Sequence, residues 1–304
     1  MSVTTMKSYN YQREVLKDYL LADEVIPYTS ILCGIFMCKM AYDLTHLVSS
    51  ANLKSYASLT KIQRIEWNNR GMSSSHAIFI TTMSLYLVFF SDHFKGPTML
   101  RSSNISTFSL GVSAGYFLTD LATILWLYPS LGGLEYVLHH SLSLCAISYA
   151  MLTGEGQMYT YMVLISESTT PGINMRWFLE TAGLKRSGAY LINGFVMVFA
   201  WLAARILLFL YLFHHIYQHY DEVQQMHAFG YLLVLGVPAV IFIMNIMWFI
   251  KILKGLRKAN SKEAVNMNHA YTSPSFSSHT MFKNCFHKTH FSFFTESCYC
   301  LFSY

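Results

Sequence analysis

Charge is scarce in this chain. Of its 304 residues only 12% are Asp, Glu, Lys or Arg, while 53% are hydrophobic. A soluble domain carries about 25% charged residues, so a single soluble core cannot hide this apolar excess. Other absences narrow the class further. The net charge of +5 comes without a separate basic domain. Lys and Arg fall beside apolar runs instead, which argues for a membrane and against nucleic acid as the partner. No Gly-rich phosphate loop, nucleophile elbow or HExxH zinc pattern organises the chain, which sets several enzyme classes aside. The six cysteines form no disulfide framework. Cys33, Cys38 and Cys145 sit in apolar runs as packing residues, and Cys285, Cys298 and Cys300 lie near the carboxyl end. Residues 1–25 are polar and lack the apolar centre of a signal peptide. No internal repeat is visible.

What is present is a set of apolar runs about 20 residues long, enough to span ~30 Å of hydrocarbon. Seven are read: Ile26–Val48, Ser75–Ser91, Ile105–Tyr128, Leu134–Leu152, Gln157–Leu179, Gly188–Phe213 and Phe229–Leu253. The class is therefore all-α and polytopic. The fifth run is the least apolar and reads equally as a broken or re-entrant segment. Gly111 and Gly115 put a small-xxx-small face on the third run, which favours close helix packing. Aromatics at 16% fit interfacial belts and a tightly packed interior.

An odd number of spans puts the termini on opposite sides, and Lys and Arg choose between them. Loop 49–74, the approach to and loop of 180–187, and the start of the carboxyl-terminal tail carry 12 basic residues on one face. The other face has five, Lys7, Arg13, Lys17, Lys95 and Arg101. The expectation is a lumenal segment at 1–25, a first transmembrane helix at 26–48 and a cytosolic carboxyl terminus. Residues 261–304 are expected to form a disordered or atypical cytosolic tail. In it Cys285, His287, His290, Cys298 and Cys300 have the residue types of zinc ligands, but their spacing matches no standard site, so no metal is assigned.

The densest cluster of costly groups is Leu134 to Leu179. His139 and His140 are adjacent in one run, and Glu167 lies in the next, followed by Ser168-Thr169-Thr170-Pro171-Gly172. Ionisable groups in a bilayer mark functional sites by default. A rise of 1.5 Å per residue puts the histidines roughly 8 Å deep and Glu167 at ~15 Å, near the midplane. Lys39, Asp43 and His46 share one face of the first run, and Asp120, Asn193 and Asn245 with Trp248 fall at comparable depths. Arg205 alone lies in the opposite half. The expectation is a bundle around a polar cavity open to the cytosol, with Lys39 paired to Asp43 and a histidine paired to a carboxylate between helices. Adjacent histidines point about 100° apart on a helix, so only one is expected to face the cavity. The proline at 171 frees backbone carbonyls, as at broken helices that line cavities.

These residues also carry a resemblance. Trp67-Asn68-Asn69-Arg70 with Ser73, Ser74, Ser75 and His76, Glu135-Tyr136 with His139-His140, Ile165 to Pro171, Asn174-Met175-Arg176-Trp177, and Asn245 with Trp248 together resemble the TLC-domain family, relatives of the ceramide synthases. The resemblance covers roughly residues 61–260. It implies a six-helix TLC-type bundle around a lipid cavity in the endoplasmic reticulum membrane, built from the second to seventh spans. In ceramide synthases a histidine pair and a later His-Asp element form the acyl-transfer site. His139 and His140 match the pair, while Ser166-Glu167 stands where the later element falls, keeping a carboxylate without the histidine.

Three functions are weighed. The first is lipid homeostasis through binding or modifying a membrane lipid in the cavity. The second is acyl-CoA-dependent N-acyl transfer, with acyl-CoA as co-substrate and no other cofactor. The third is a lipid or ion transporter. The catalytic candidates are His139, His140, Glu167 and Asp120. The lipid-binding candidates are His76, Asn174, Arg176, Asn193, Asn245 and Trp248. Membrane lipids are the expected partners.

Overall fold

A computed structural model of the chain describes residues 25–92, 94, 102–185 and 187–272, with side chains through Ile252. The described residues are all-helical. Helix α1 runs Ile26–Asn52, and α2 runs Lys61–Leu85 and continues as a π-helical turn over Tyr86–Phe90. Helix α3 is Asn104–Trp126 and α4 is Leu134–Thr153. The next passage is α5 (Gln157–Leu164), a 3-10 segment (Ile165–Thr169) and α6 (Thr170–Thr181). Then come α7 (Gly188–Trp201), a π-helical turn (Leu202–Leu207), α8 (Leu208–Gln218) and α9 (Ala228–Thr272).

Five helices are long and apolar enough to cross a membrane: Ile26–Asn52, Lys61–Phe90, Asn104–Trp126, Gly188–Gln218 and Ala228–Ile252. The chain is a polytopic helical membrane protein. The other two expected runs are helical too. Leu134–Thr153 is one continuous helix, diluted by Glu135, His139 and His140. The fifth run is broken at its middle, with the 3-10 segment directly before Pro171. The second helix starts fourteen residues before the expected Ser75, because its first half is polar. Thr60 caps it reciprocally with Gln63. Loop 49–74 is thus mostly helix, and Arg70 sits on a helix wall rather than in a loop. Helix α9 continues to Thr272, into the segment read as unstructured. The amino-terminal segment, the zinc-type residues after Cys285, and Lys95, Arg101 and Arg186 lie outside the described residues.

Packing is inverted relative to a soluble protein. Leu32, Phe36, Leu44, Phe90, Trp126 and Phe199 are exposed, while serines, an aspartate and two arginines are buried. Helix α3 is the clearest case. Ser106, Ser113, Tyr116 and Asp120 recur at helical spacing down one buried face. Ser106 donates to Gln157 at 2.6 Å, Tyr116 meets Ser73 at 3.1 Å, and Ser113 meets His76 at 3.1 Å. Such interhelical bonds contribute on average about 0.6 kcal/mol each.

Against the opposite side of α3 lies α1, whose closest approach is set by glycine. A Cβ on Gly34 falls 2.3 Å from the Val112 carbonyl oxygen, and one on Gly115 falls 2.4 Å from that of Ile31. The small-residue face expected on α3 is therefore a backbone-to-backbone contact that admits no larger side chain.

Candidate functional site

A cavity of about 170 Å³ opens among α2, α3, α4, the 3-10 segment, α6, α7 and α9. One water needs only ~10–15 Å³ by the same measure, so this is room for a chemical group rather than a packing defect. His139, His140, Asp120 and Glu167, the four catalytic candidates, all line it. Both histidines line it, which corrects the expectation that only one would.

The two histidines are held differently. His140 Nδ1 lies 2.9 Å from the Tyr136 carbonyl oxygen one turn earlier, and Nε2 lies 2.8 Å from Asp120 Oδ2. A carbonyl only accepts, so Nδ1 carries a hydrogen. The Nε2–Oδ2 contact then needs a second hydrogen, shared between imidazole and carboxylate. Asp120 also accepts from Asn69 Nδ2 at 2.7 Å and from the Tyr116 hydroxyl at 3.0 Å. His140 thus has no nitrogen left to receive a proton from a substrate. His139 makes no side-chain hydrogen bond among the described residues; its Nδ1 is buried without a partner. Its ring sits edge-on to Trp248 at 6.4 Å and to His140 at 5.3 Å.

A second fixed group lies beside the first. Arg70 binds Glu66 Oε1 through Nε (3.0 Å) and Nη2 (2.7 Å), and donates from Nη1 to Asn174 Oδ1 at 3.1 Å. Asn174 in turn donates to the Arg70 carbonyl and to Ser74, so it ties α6 to α2.

The two irregular segments supply the remaining charges. Glu167 comes from the 3-10 turn and accepts from Thr170 Oγ1 at 2.7 Å. It does not orient either histidine. Arg205 comes from the π-helical turn, a device that often marks functional sites. Its Nε donates to Thr169 Oγ1 at 2.7 Å and its Nη1 to Asn245 Oδ1 at 3.2 Å, with the Trp201 ring 4.7 Å beneath. Arg205 lines the cavity, against the expectation that it lay apart.

Of the lipid-binding candidates, Asn174 and Trp248 line the cavity. The other four stand outside its lining. His76 stacks on Tyr116 behind the wall, with ring centroids 3.8 Å apart. Arg176 is buried over the Tyr190 ring and donates to the Tyr190 carbonyl oxygen. Asn193 donates to the Gly172 carbonyl oxygen at 2.9 Å, and Asn245 holds Arg205. The first helix contributes nothing to the lining. Lys39 does pair with Asp43, but on the exposed outer face, and His46 bonds Tyr56 at 2.8 Å. The expected convergence of six spans therefore loses α1.

Sequence reasoning left out Glu66, Tyr116 and Arg205. Glu66 and Arg70 stand at i and i+4, and Tyr116 stands four residues before Asp120, so both were available as helical pairs. Arg205 was available as a lone charge in a strongly apolar run. The literal pattern G-x-S-x-G also occurs, at Gly111 to Gly115, contrary to the expectation that no such elbow is present. It lies mid-helix in α3, without the strand-to-helix turn that exposes a nucleophile. Its glycines receive α1 and its serine is buried, so it is a packing motif.

The TLC domain family model matches residues 66–254. The chain is 30% identical over 210 residues to TLC domain-containing protein 4-B of Xenopus laevis, covering 66% of this chain and 78% of that protein. It is 28% identical over 224 residues to TLC domain-containing protein 4 of Homo sapiens, covering 72% and 85%. It is 23% identical over 254 residues to TLC domain-containing protein 4 A of Dictyostelium discoideum, covering 81% and 94%. No solved structure matches it.

Proposed function

The chain belongs to the TLC domain family, and on that premise we propose that it is an endoplasmic reticulum membrane protein that binds a membrane lipid in the cavity and acts in lipid homeostasis. One observation carries the choice of binding over chemistry. Among the described residues the only histidine held by a carboxylate, His140, has both ring nitrogens occupied. A general base needs a nitrogen within reach of the proton it takes. Beside that closed pair the cavity presents side chains with unused hydrogen-bonding atoms, an arrangement suited to recognising a headgroup.

The orientation follows the basic residues, with the amino terminus lumenal and the carboxyl terminus cytosolic. Glu66 near the start of α2, Leu131 in the α3–α4 connection and Ile252 at the end of the apolar part of α9 all line the cavity. Those positions share one end of the bundle, the end that carries the basic excess, which supports a cytosolic opening. Acceptor sites for glycosylation placed at each terminus check this: modification at the amino terminus only is expected, and the reverse pattern overturns it.

The binding reading is tested on protein purified in mild detergent. Mass spectrometry is expected to find one lipid class retained near stoichiometrically, with no consumption of acyl-CoA in the presence of long-chain bases or lysolipids. The rival reading, N-acyl transfer with acyl-CoA as co-substrate, draws on His139 Nε2, which no hydrogen bond among the described residues holds. It would replace the first if thioester were consumed and His139→Ala lowered that rate by ~100-fold or more.

A further inference from the structure

Four of the charged side chains lining the cavity cancel in pairs. Glu66 holds Arg70 at 2.7 Å and Asp120 holds His140 at 2.8 Å. Glu167 and Arg205 remain. They are of opposite sign, both buried, and both line the same cavity. Yet among the described residues neither forms an ion pair, with each other or with any other group. Each is bound instead to one of two adjacent threonines. Thr169 accepts from Arg205 Nε, and Thr170 donates to Glu167 Oε2. Asn245 takes Arg205 Nη1.

These holds leave one donor and one acceptor unused. Among the described residues no hydrogen bond reaches Arg205 Nη2 or Glu167 Oε1, and neither atom is among the buried atoms sealed without a partner, so both are open to the cavity. Charges taken out of water are costly unless partnered. A pair of opposite charges that faces one space without closing on itself is suited to a ligand that brings both signs.

We propose that the cavity selects a zwitterionic headgroup, its anion against Arg205 Nη2 and its ammonium against Glu167 Oε1. This rests on the lipid-binding reading and gives that site its ligand class. A purely anionic headgroup would leave Glu167 facing added negative charge, and a purely cationic one would do the same to Arg205. A charge-assisted bond is the stronger kind, so each contact should contribute ~10-fold or more to selection.

The experiment uses the full chain, delipidated and incubated with matched dioleoyl lipids. Four are compared: phosphatidylethanolamine, phosphatidylcholine, phosphatidylglycerol and a cationic trimethylammonium-propane lipid. Retention is read by native mass spectrometry. Wild type is expected to retain the zwitterions ~10-fold over either singly charged lipid. Glu167→Gln is expected to move the preference to phosphatidylglycerol, and Arg205→Gln to the cationic lipid. Opposite shifts from two charge-neutralising changes are a signature that loss of folding does not produce. Thr170→Val, which frees Glu167 without removing its charge, is expected to keep the zwitterion preference. Competition by soluble phosphoethanolamine at equal concentration would support the same chemistry and assign it to a soluble source. Lipid retained without regard to headgroup charge, or unmoved by either substitution, overturns the zwitterion and leaves lipid binding standing. If no lipid of any charge is retained, the binding reading itself fails.

Discussion

One wall of the cavity is closed and the other is open. On the closed wall Asn69, Asp120, Tyr116, His140 and the Tyr136 carbonyl form a single chain of hydrogen bonds, with Glu66, Arg70 and Asn174 beside it. On the open wall no hydrogen bond among the described residues uses His139 Nε2, Glu167 Oε1 or Arg205 Nη2, while His139 Nδ1 is sealed in the wall. Both walls carry titratable groups at similar positions along the bundle. The difference teaches that polarity inside a membrane protein serves two ends. Satisfied networks rigidify a helix bundle, whereas unsatisfied groups are paid for elsewhere and point to a ligand.

The comparison predicts a stability gradient. Asp120→Leu should cost most, because it strips His140 and Asn69 of their acceptor at once. Removing one partner of a buried pair costs about 3–5 kcal/mol. Reversible unfolding in mixed micelles should show it, and a loss below ~1 kcal/mol would mean that the closed wall is not a structural network. Asn174→Ala comes next. It deletes the three bonds that tie α6 to α2 and leaves Arg70 Nη1 unmet. The expected loss is ~1–3 kcal/mol. Double-mutant cycles with Arg70→Met should give a non-additive term, and strict additivity would break the link.

The sequence made depth legible but not direction. Counting residues at a fixed rise put His139, His140 and Glu167 at levels where a cavity lies, because distance along an α-helix axis follows from number alone. Which way a face turns does not follow. Lys39 and Asp43 share a face, and it is the outer one, since Gly34 commits the other side of α1 to α3. Arg205 was counted into the opposite half and so left out of the site, yet its side chain reaches the cavity from the π-helical turn. The start of α2 was missed for a related reason. Apolar windows find helices by their lipid-facing residues, and Trp67 to His76 is interior wall. The pairing of His140 with Asp120 rather than Glu167 was undecided for want of direction; a break before Pro171 was legible, since proline both stops one helical segment and starts the next.

The sharpest use of the comparison is a pair of substitutions that separate headgroup selection from folding. His139→Gln removes a ring that no hydrogen bond holds, so unfolding should shift by less than ~1 kcal/mol, while lipid retention falls by ~10-fold if His139 contributes a charge-assisted contact. A stability loss as large as that of Asp120→Leu would place His139 on the closed wall and erase the distinction. Lys39→Met marks the floor of the scale for headgroup selection. Its ion pair is exposed, with side chains 69% and 57% accessible, and one turn apart on α1. That face of a membrane-spanning helix meets lipid rather than water, so Lys39→Met strands Asp43 without its counter-ion and is expected to cost stability. It touches no residue of the cavity, so headgroup selection should be identical to wild type in the same native mass spectrometry assay. A shift in selection would mean that α1 reaches the ligand through α3, and the boundary between wall and outer face would have to be redrawn there.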